Sequence, residues 1–286
     1  MCSDQQGIGV QRPGGYAEKI VVREAKYLVD AEGIDTFLAG SYACSGLTAY
    51  SALKKLGPLH DEWIAIIGLG GVGLMGLAIA KGTGFEKVAV IDIDDAKLEI
   101  AADEYGADTT FNAKSSNVVE AVTSDIGHLA GVVDFVGSGD TFGQAAGLLR
   151  GLGVSVTVGL FGGELRFPLP ALAVQQLQFR GSFVGTLAEF EELMAFVRTG
   201  AIKPIPTTPV PFTEVNARMK SCARAASADA SCSRTHKETV SGDLRHELPH
   251  VWAGGPAGPP GSRCAPVAPT TLPAGARSSV DRAADF

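Results

Sequence analysis

Five apolar residues, Trp63 to Ile67, run directly into Gly68-Leu69-Gly70-Gly71-Val72-Gly73, and a second apolar run, Val88 to Ile91, closes on Asp92, 24 residues after the first of those glycines. Glycine at the first, third and sixth places of a turn between a strand and a helix leaves the chain few folds. The first supplies dihedrals for a tight turn, the second clears the path of an approaching pyrophosphate, and the third lets the next helix pack closely on the sheet. The N-terminal amides and dipole of that helix then face the phosphates, while an acid ending the second strand accepts from ribose hydroxyls. The competing reading is a glycine turn that only joins strand to helix; the context and the spacing of the acid favour a dinucleotide.

The surrounding sequence repeats this alternation. Strands are expected over Trp63 to Ile67, Lys87 to Ile91, Thr109 to Phe111, Gly131 to Val136, Val154 to Val158 and Phe179 to Val184. Helices are expected over Val72 to Lys81, Ala96 to Tyr105, Val118 to Ile126, Phe142 to Leu149 and Leu187 to Arg198, with a loop around Pro168 and Pro170. Continuous apolar strands separated by amphipathic helices predict an α/β fold, a doubly wound parallel sheet covered on both faces. Ahead of it, Ala39 to Leu56 reads as a helix ended by Gly57-Pro58, and Gly14 to Val22 as a short piece of β structure.

Several function classes are excluded by bulk properties. A formal charge of -7 and a pI of about 5.3 leave no basic surface for nucleic acid. No apolar stretch approaches the roughly 18 residues of a membrane span, and the first residues lack the basic start and apolar core of a signal peptide, so a cytoplasmic location is expected. The five cysteines, at 2, 44, 222, 232 and 264, form no paired framework and read as free thiols or metal ligands.

Composition changes after about Lys220. Residues 1 to 220 hold 10 Lys and 7 Arg; residues 221 to 286 hold 1 Lys and 6 Arg and contain no Ile, Met or Tyr. So little apolar bulk cannot offset the entropy of ordering, and the tail is expected to be disordered. Because the helix and strand pattern stops within an element at Met219-Lys220, translation out of frame is the expected origin. Cys222, Cys232, His236, His246 and His250 lack the close pairing of a metal site.

Further segments carry a resemblance: Ala43-Cys44-Ser45-Gly46-Leu47-Thr48-Ala49-Tyr50, Ile67 to Gly73, Val90-Ile91-Asp92-Ile93-Asp94, Tyr105-Gly106-Ala107-Asp108, Val133-Asp134-Phe135-Val136-Gly137 and Val158-Gly159-Leu160. From Gly14 to Lys220 the chain resembles the zinc-dependent medium-chain alcohol dehydrogenase family. The resemblance implies a Rossmann domain over 39-190, preceded by a remnant (1-38) of a GroES-like catalytic domain, followed by a return segment (191-220) and the tail (221-286). It also implies that most of the catalytic domain is missing, with Cys2 as the last cysteine of a structural zinc lobe and Met1 as an internal methionine. The implied activity is NAD-dependent interconversion of a small alcohol with its aldehyde or ketone, zinc holding the reacting oxygen, in a homodimer joined near Phe179 to Val184. A zinc-free quinone reductase is the weaker match, because of Cys44 and Cys2.

Within that resemblance Cys44 stands for the third catalytic zinc ligand and Thr48 for a residue beside the nicotinamide. A catalytic zinc takes about three protein ligands, and the family's other cysteine and histidine ligands have no counterpart here, so impaired turnover is expected. Without the resemblance, Cys44 reads as an inert buried thiol. Gly68, Gly70, Gly71, Val72 and Gly73 are assigned to the pyrophosphate, and Asp92 to the ribose, where its charge favours NAD over NADP. Asp94 or Asp95 is the better candidate for a helix cap. Lys97 resembles a ribose contact, or is a solvated helix lysine. Val136, Val158, Gly159 and Leu160 resemble the nicotinamide contacts, or are ordinary strand-end turns. His60 and His128 are expected in surface loops.

Overall fold

The computed structural model describes residues 7-9, 11-17, 19-114, 117-164, 167-207, 210-220 and 240-241. The chain divides into two compact units, one of Leu28–Ser241 and one of Met1–Tyr27 with Gly242–Phe286. In the second unit the described residues hold an isolated bridge between Ile8 and Arg12 and a short 3-10 helix, Ala25–Tyr27. The β structure expected over Gly14 to Val22 is not formed among them; Gly15 to Ala17 bend instead. The expectations for the tail fall outside the described residues, except that β8 (Val240–Ser241) pairs in parallel with β7 (Val210–Pro211).

In the larger unit the expected doubly wound sheet is present. β1 (Trp63–Ile67), β2 (Lys87–Asp92), β3 (Thr109–Asn112), β4 (Leu129–Asp134), β5 (Leu149–Thr157) and β6 (Gln178–Gly181) form one parallel sheet in the order β3-β2-β1-β4-β5-β6. The order reverses between β1 and β4, where Ile67 pairs with Asp134. Alternation of side chains sends Ile64, Ile66, Val88, Val90, Val133, Val154 and Val156 to one core and Ala65, Ile67, Ala89, Ile91, Val132 and Leu149 to the other. Both faces are apolar because helices cover both.

α3 (Gly71–Gly82) and α4 (Asp95–Tyr105) pack on the first face with α2 (Leu47–Leu56) and α8 (Leu187–Arg198); α5 (Val118–Asp125), α6 (Gly139–Leu148) and α7 (Leu169–Gln175) pack on the second. The caps are written in the sequence. Asp94 accepts the Ala96 N–H at 3.1 Å to start α4, and Gly106, at φ 70°, ends it. Thr186 and Glu189 form a reciprocal capping box for α8.

Further expectations need correction, among them the starts and ends of β5 and β6, expected over Val154 to Val158 and Phe179 to Val184. Ala39 to Leu56 is not one helix: α1 (Thr36–Ser41) passes through a π-helical turn, Tyr42–Gly46, into α2. Residues 169-175, expected as loop, form α7, because a proline in the first helical turn needs no amide partner. β4 runs from Leu129 to Asp134 rather than Gly131 to Val136, and the cause lies in the Asp134 side chain, described below. Among the described residues no helix is long and apolar enough to cross a membrane.

Candidate functional site

The carboxyl ends of β1, β2, β4 and β5 meet at the reversal of strand order, the place where open α/β sheets bind ligands. The three glycines of the first turn do different work there. Gly68 has φ +87°, and a Cβ on it would lie 2.6 Å from Val136 Cγ2. Gly73 packs so closely that a Cβ would lie 1.8 Å from the Gly68 carbonyl oxygen. Gly70 is the opposite case: its φ of -67° suits any residue, and a Cβ would meet nothing within 4 Å. It borders open space, where a pyrophosphate would approach. Gly70 is also the N-cap of α3 and offers no side-chain bond, so the amides of Gly71, Val72 and Gly73 have neither an intrahelical nor a capping acceptor. With the helix dipole behind them, they could hold an anion.

Asp92 is buried at the end of β2, 7% exposed, and braces this turn. Its Oδ2 accepts the Leu69 N–H at 2.6 Å, and its Oδ1 accepts the Ile93 and Asp94 N–H groups at 2.7 and 3.0 Å. Lys97, in the first turn of α4, brings Nζ to 3.8 Å from Oδ1. A carboxylate can accept about four hydrogen bonds, so Oδ2 retains capacity for a ribose hydroxyl. Sequence reasoning anticipated neither the hydrogen bond that Asp92 accepts from the Leu69 N–H nor its ion pair with Lys97, although Asp92 and Lys97 were both singled out. Asp94 is the cap, as expected.

Across the reversal, Val136, Val158 and Gly159 are half-buried and Leu160 is 53% exposed. A Cβ on Gly137 would lie 1.8 Å from Gly159 O, and one on Gly159 would lie 2.0 Å from the Val136 carbonyl carbon. These two strand ends touch backbone to backbone, which ordinary turns need not do. The buried Asp134 beneath them, which the sequence reading quoted but left without a role, accepts the Val136 and Gly137 amides, both at 2.9 Å, and so ends β4 early.

Cys44 is an exposed free cysteine in the π-helical turn, and Thr48 is half-buried in the first turn of α2. α2 reaches α3 where Ala49 faces Gly76, so both residues lie on the face that carries α3. Among the described residues no group of three or more His, Cys, Asp or Glu side chains could hold a metal ion. The residues at Cys44 therefore do not fit a catalytic zinc, whereas those around Gly70 and Asp92 fit a dinucleotide. His60 and His128 are exposed as expected, His60 stacking on Phe85 with ring centroids 4.5 Å apart. A separate cavity of about 400 Å³, lined by His128, Gly143, Phe167 and Gln175 among others, contains none of the expected site residues.

Known proteins give this geometry a context. A family profile described as zinc-binding dehydrogenase matches residues 71–199. An NAD-dependent alcohol dehydrogenase of Sulfurisphaera tokodaii is 32% identical over 220 residues, 76% of this chain and 63% of that protein. An alcohol dehydrogenase of Geobacillus stearothermophilus is 32% identical over 208 residues, 73% of this chain and 61% of that protein. The chain thus spans less than two thirds of the length of these curated relatives. Among solved structures, the alcohol dehydrogenase of Aeropyrum pernix matches with a TM-score of 0.65 at 27% identity, covering 78% of this chain and 66% of that one. A cobalt- and zinc-bound thermostable alcohol dehydrogenase from Pyrobaculum aerophilum matches with a TM-score of 0.64 at 26% identity, covering 75% and 61%.

Proposed function

The chain belongs to the zinc-type medium-chain alcohol dehydrogenase family, and on that premise we propose that it binds NAD and takes part in hydride transfer between a small alcohol and its aldehyde or ketone. One observation carries the proposal: the uncapped amides of Gly71, Val72 and Gly73 open onto free space at Gly70, and the Asp92 carboxylate stands over the same turn, bonded to Leu69. The pyrophosphate would be held by those amides and the adenosine ribose by Asp92 with Lys97. A 2'-phosphate would meet the charge of Asp92, with Asp94 and Asp95 nearby in sequence, which favours NAD over NADP. Bound NAD supplies the hydride acceptor. The protein's own part is to place the nicotinamide on the Val136, Val158, Gly159 and Leu160 loops, with Thr48 alongside.

Cys44 lacks partner ligands for a zinc ion among the described residues. That observation favours a second reading, an NAD-binding module that does not turn over. Metal analysis, calorimetry with NADH and an NADH-linked alcohol assay on the full chain separate the two. Stoichiometric zinc with turnover refutes the module; NADH binding without either refutes the enzyme; no binding at millimolar NADH refutes both.

We infer that residues 39-190 act as the dinucleotide-binding domain and 191-220 as a return segment. β6, paired on one side by β5, is the proposed edge of a homodimer. A cytoplasmic location is inferred from the cysteine spacing, which forms no paired framework.

A further inference from the structure

Asp134 is fully buried at the end of β4, and the cofactor grip described above makes no use of it. Its Oδ1 takes the Val136 and Gly137 amides, and its Oδ2 accepts the Thr141 hydroxyl at 2.8 Å. Thr141 Oγ1 accepts the Ser138 N–H at 3.0 Å, and Ser138 Oγ accepts the Thr141 N–H at 3.1 Å, the reciprocal cap that starts α6. A buried carboxylate is costly unless its bonds are made, and this one makes all three within a single turn. The turn then receives its neighbour. Phe161 N–H donates to Val136 O at 3.2 Å and Gly162 N–H to Gly137 O at 3.0 Å, while Val158 and Gly159 donate to Asp134 O at 2.8 and 3.2 Å.

All these bonds lie within residues 134-162. The adenosine side has its own brace in Asp92, Leu69 and Lys97. The two halves of the crevice are therefore pinned by two different buried carboxylates. Resting on the reading of the chain as an NAD binder, we propose that Asp134 is a positioning residue for the nicotinamide half of the cofactor. It acts through the Val136–Ser138 and Val158–Gly162 loops without touching the ligand. Removing the carboxylate leaves two part-buried amides without acceptors, which releases both loops and leaves the diphosphate cradle in place.

The test titrates the full chain and its variants with NADH and with ADP-ribose, which lacks the nicotinamide. Asp134→Ala weakens NADH about tenfold or more and leaves ADP-ribose within about twofold; Asp134→Asn, which still accepts both amides, restores NADH to within about threefold. Thr141→Val keeps the shape but loses the hydroxyl, and lowers NADH affinity about threefold with ADP-ribose unchanged, so it decides the matter should Asp134→Ala not fold. Equal losses for both ligands, or unchanged NADH binding in a folded Asp134→Ala or Thr141→Val, overturn the positioning role while the NAD reading stands. A wild-type chain that binds neither ligand overturns both.

Discussion

Two glycines three residues apart should respond in opposite ways to the same added methyl group. In Gly73→Ala the new Cβ sits 1.8 Å from the Gly68 oxygen, so that carbonyl must retreat by about 1.2 Å to reach the 3.0 Å that Cβ atoms respect. Overpacking of this kind costs roughly 1–3 kcal/mol, and the retreat strains the Leu69 N–H bond to the charged Asp92, a contact of the type that contributes roughly 1.5–3 kcal/mol. A total of about 3–5 kcal/mol is a large part of a typical stability, and at roughly 2–4 °C per kcal/mol it lowers Tm by about 10 °C. Gly70→Ala should leave stability within about 1 kcal/mol, since Ala is the poorer N-cap but restricts the unfolded chain. Its methyl group instead enters the open space and lowers NADH affinity about tenfold or more, 1.4 kcal/mol. Thermal melts by circular dichroism and NADH calorimetry read both. A Gly70→Ala chain that binds NADH as tightly as wild type, or a Gly73→Ala chain that melts with it, refutes the division of labour.

Asp92→Ala should weaken NAD binding about tenfold to a hundredfold and reduce discrimination against NADP; unchanged affinities for both would remove Asp92 from the ribose. Leu152 adopts φ 64° while 64% exposed, so Leu152→Gly relieves backbone strain without uncovering core. A gain of about 0.5–1 kcal/mol is expected after glycine's extra unfolded-state entropy, and a lower Tm would contradict it. Burial pushes the Tyr50 and Tyr105 hydroxyls up to about 12, Tyr50 further aided by its bond to Glu192. Raised folded values mean that stability is intact below pH 10 and falls as pH climbs from 10 toward 12. Ultraviolet titration of the folded chain should show at least two tyrosines ionising only near pH 12; titration of all five near pH 10 would contradict their burial.

What the sequence disclosed follows from how local each cause is. The strand and helix alternation, the Asp94 cap, the α8 boundaries and the glycine turn each depend on residues within one element and its neighbour. The end of β4 did not, because a buried carboxylate folding back on its own amides looks in sequence like one more strand residue. The π-helical turn at Cys44 ends at Gly46, which fits against Leu193 of α8, 147 positions away, where a Cβ would lie 3.1 Å from Leu193 Cδ2. α7 was hidden by Pro168 and Pro170, which mark a helix start as readily as a break. At the site, the residue types around Gly70 and Asp92 pointed to their chemistry, whereas the role of Asp134 required three-dimensional contacts.

The backbone contact between Gly137 and Gly159 bears on how such a protein can change. A side chain at either position collides with the main chain of the other, so neither loop can drift alone. Successive single substitutions would pass through damaged intermediates, and paired changes should be strongly non-additive. Redesign of this end of the crevice would therefore need libraries that vary both loops at once.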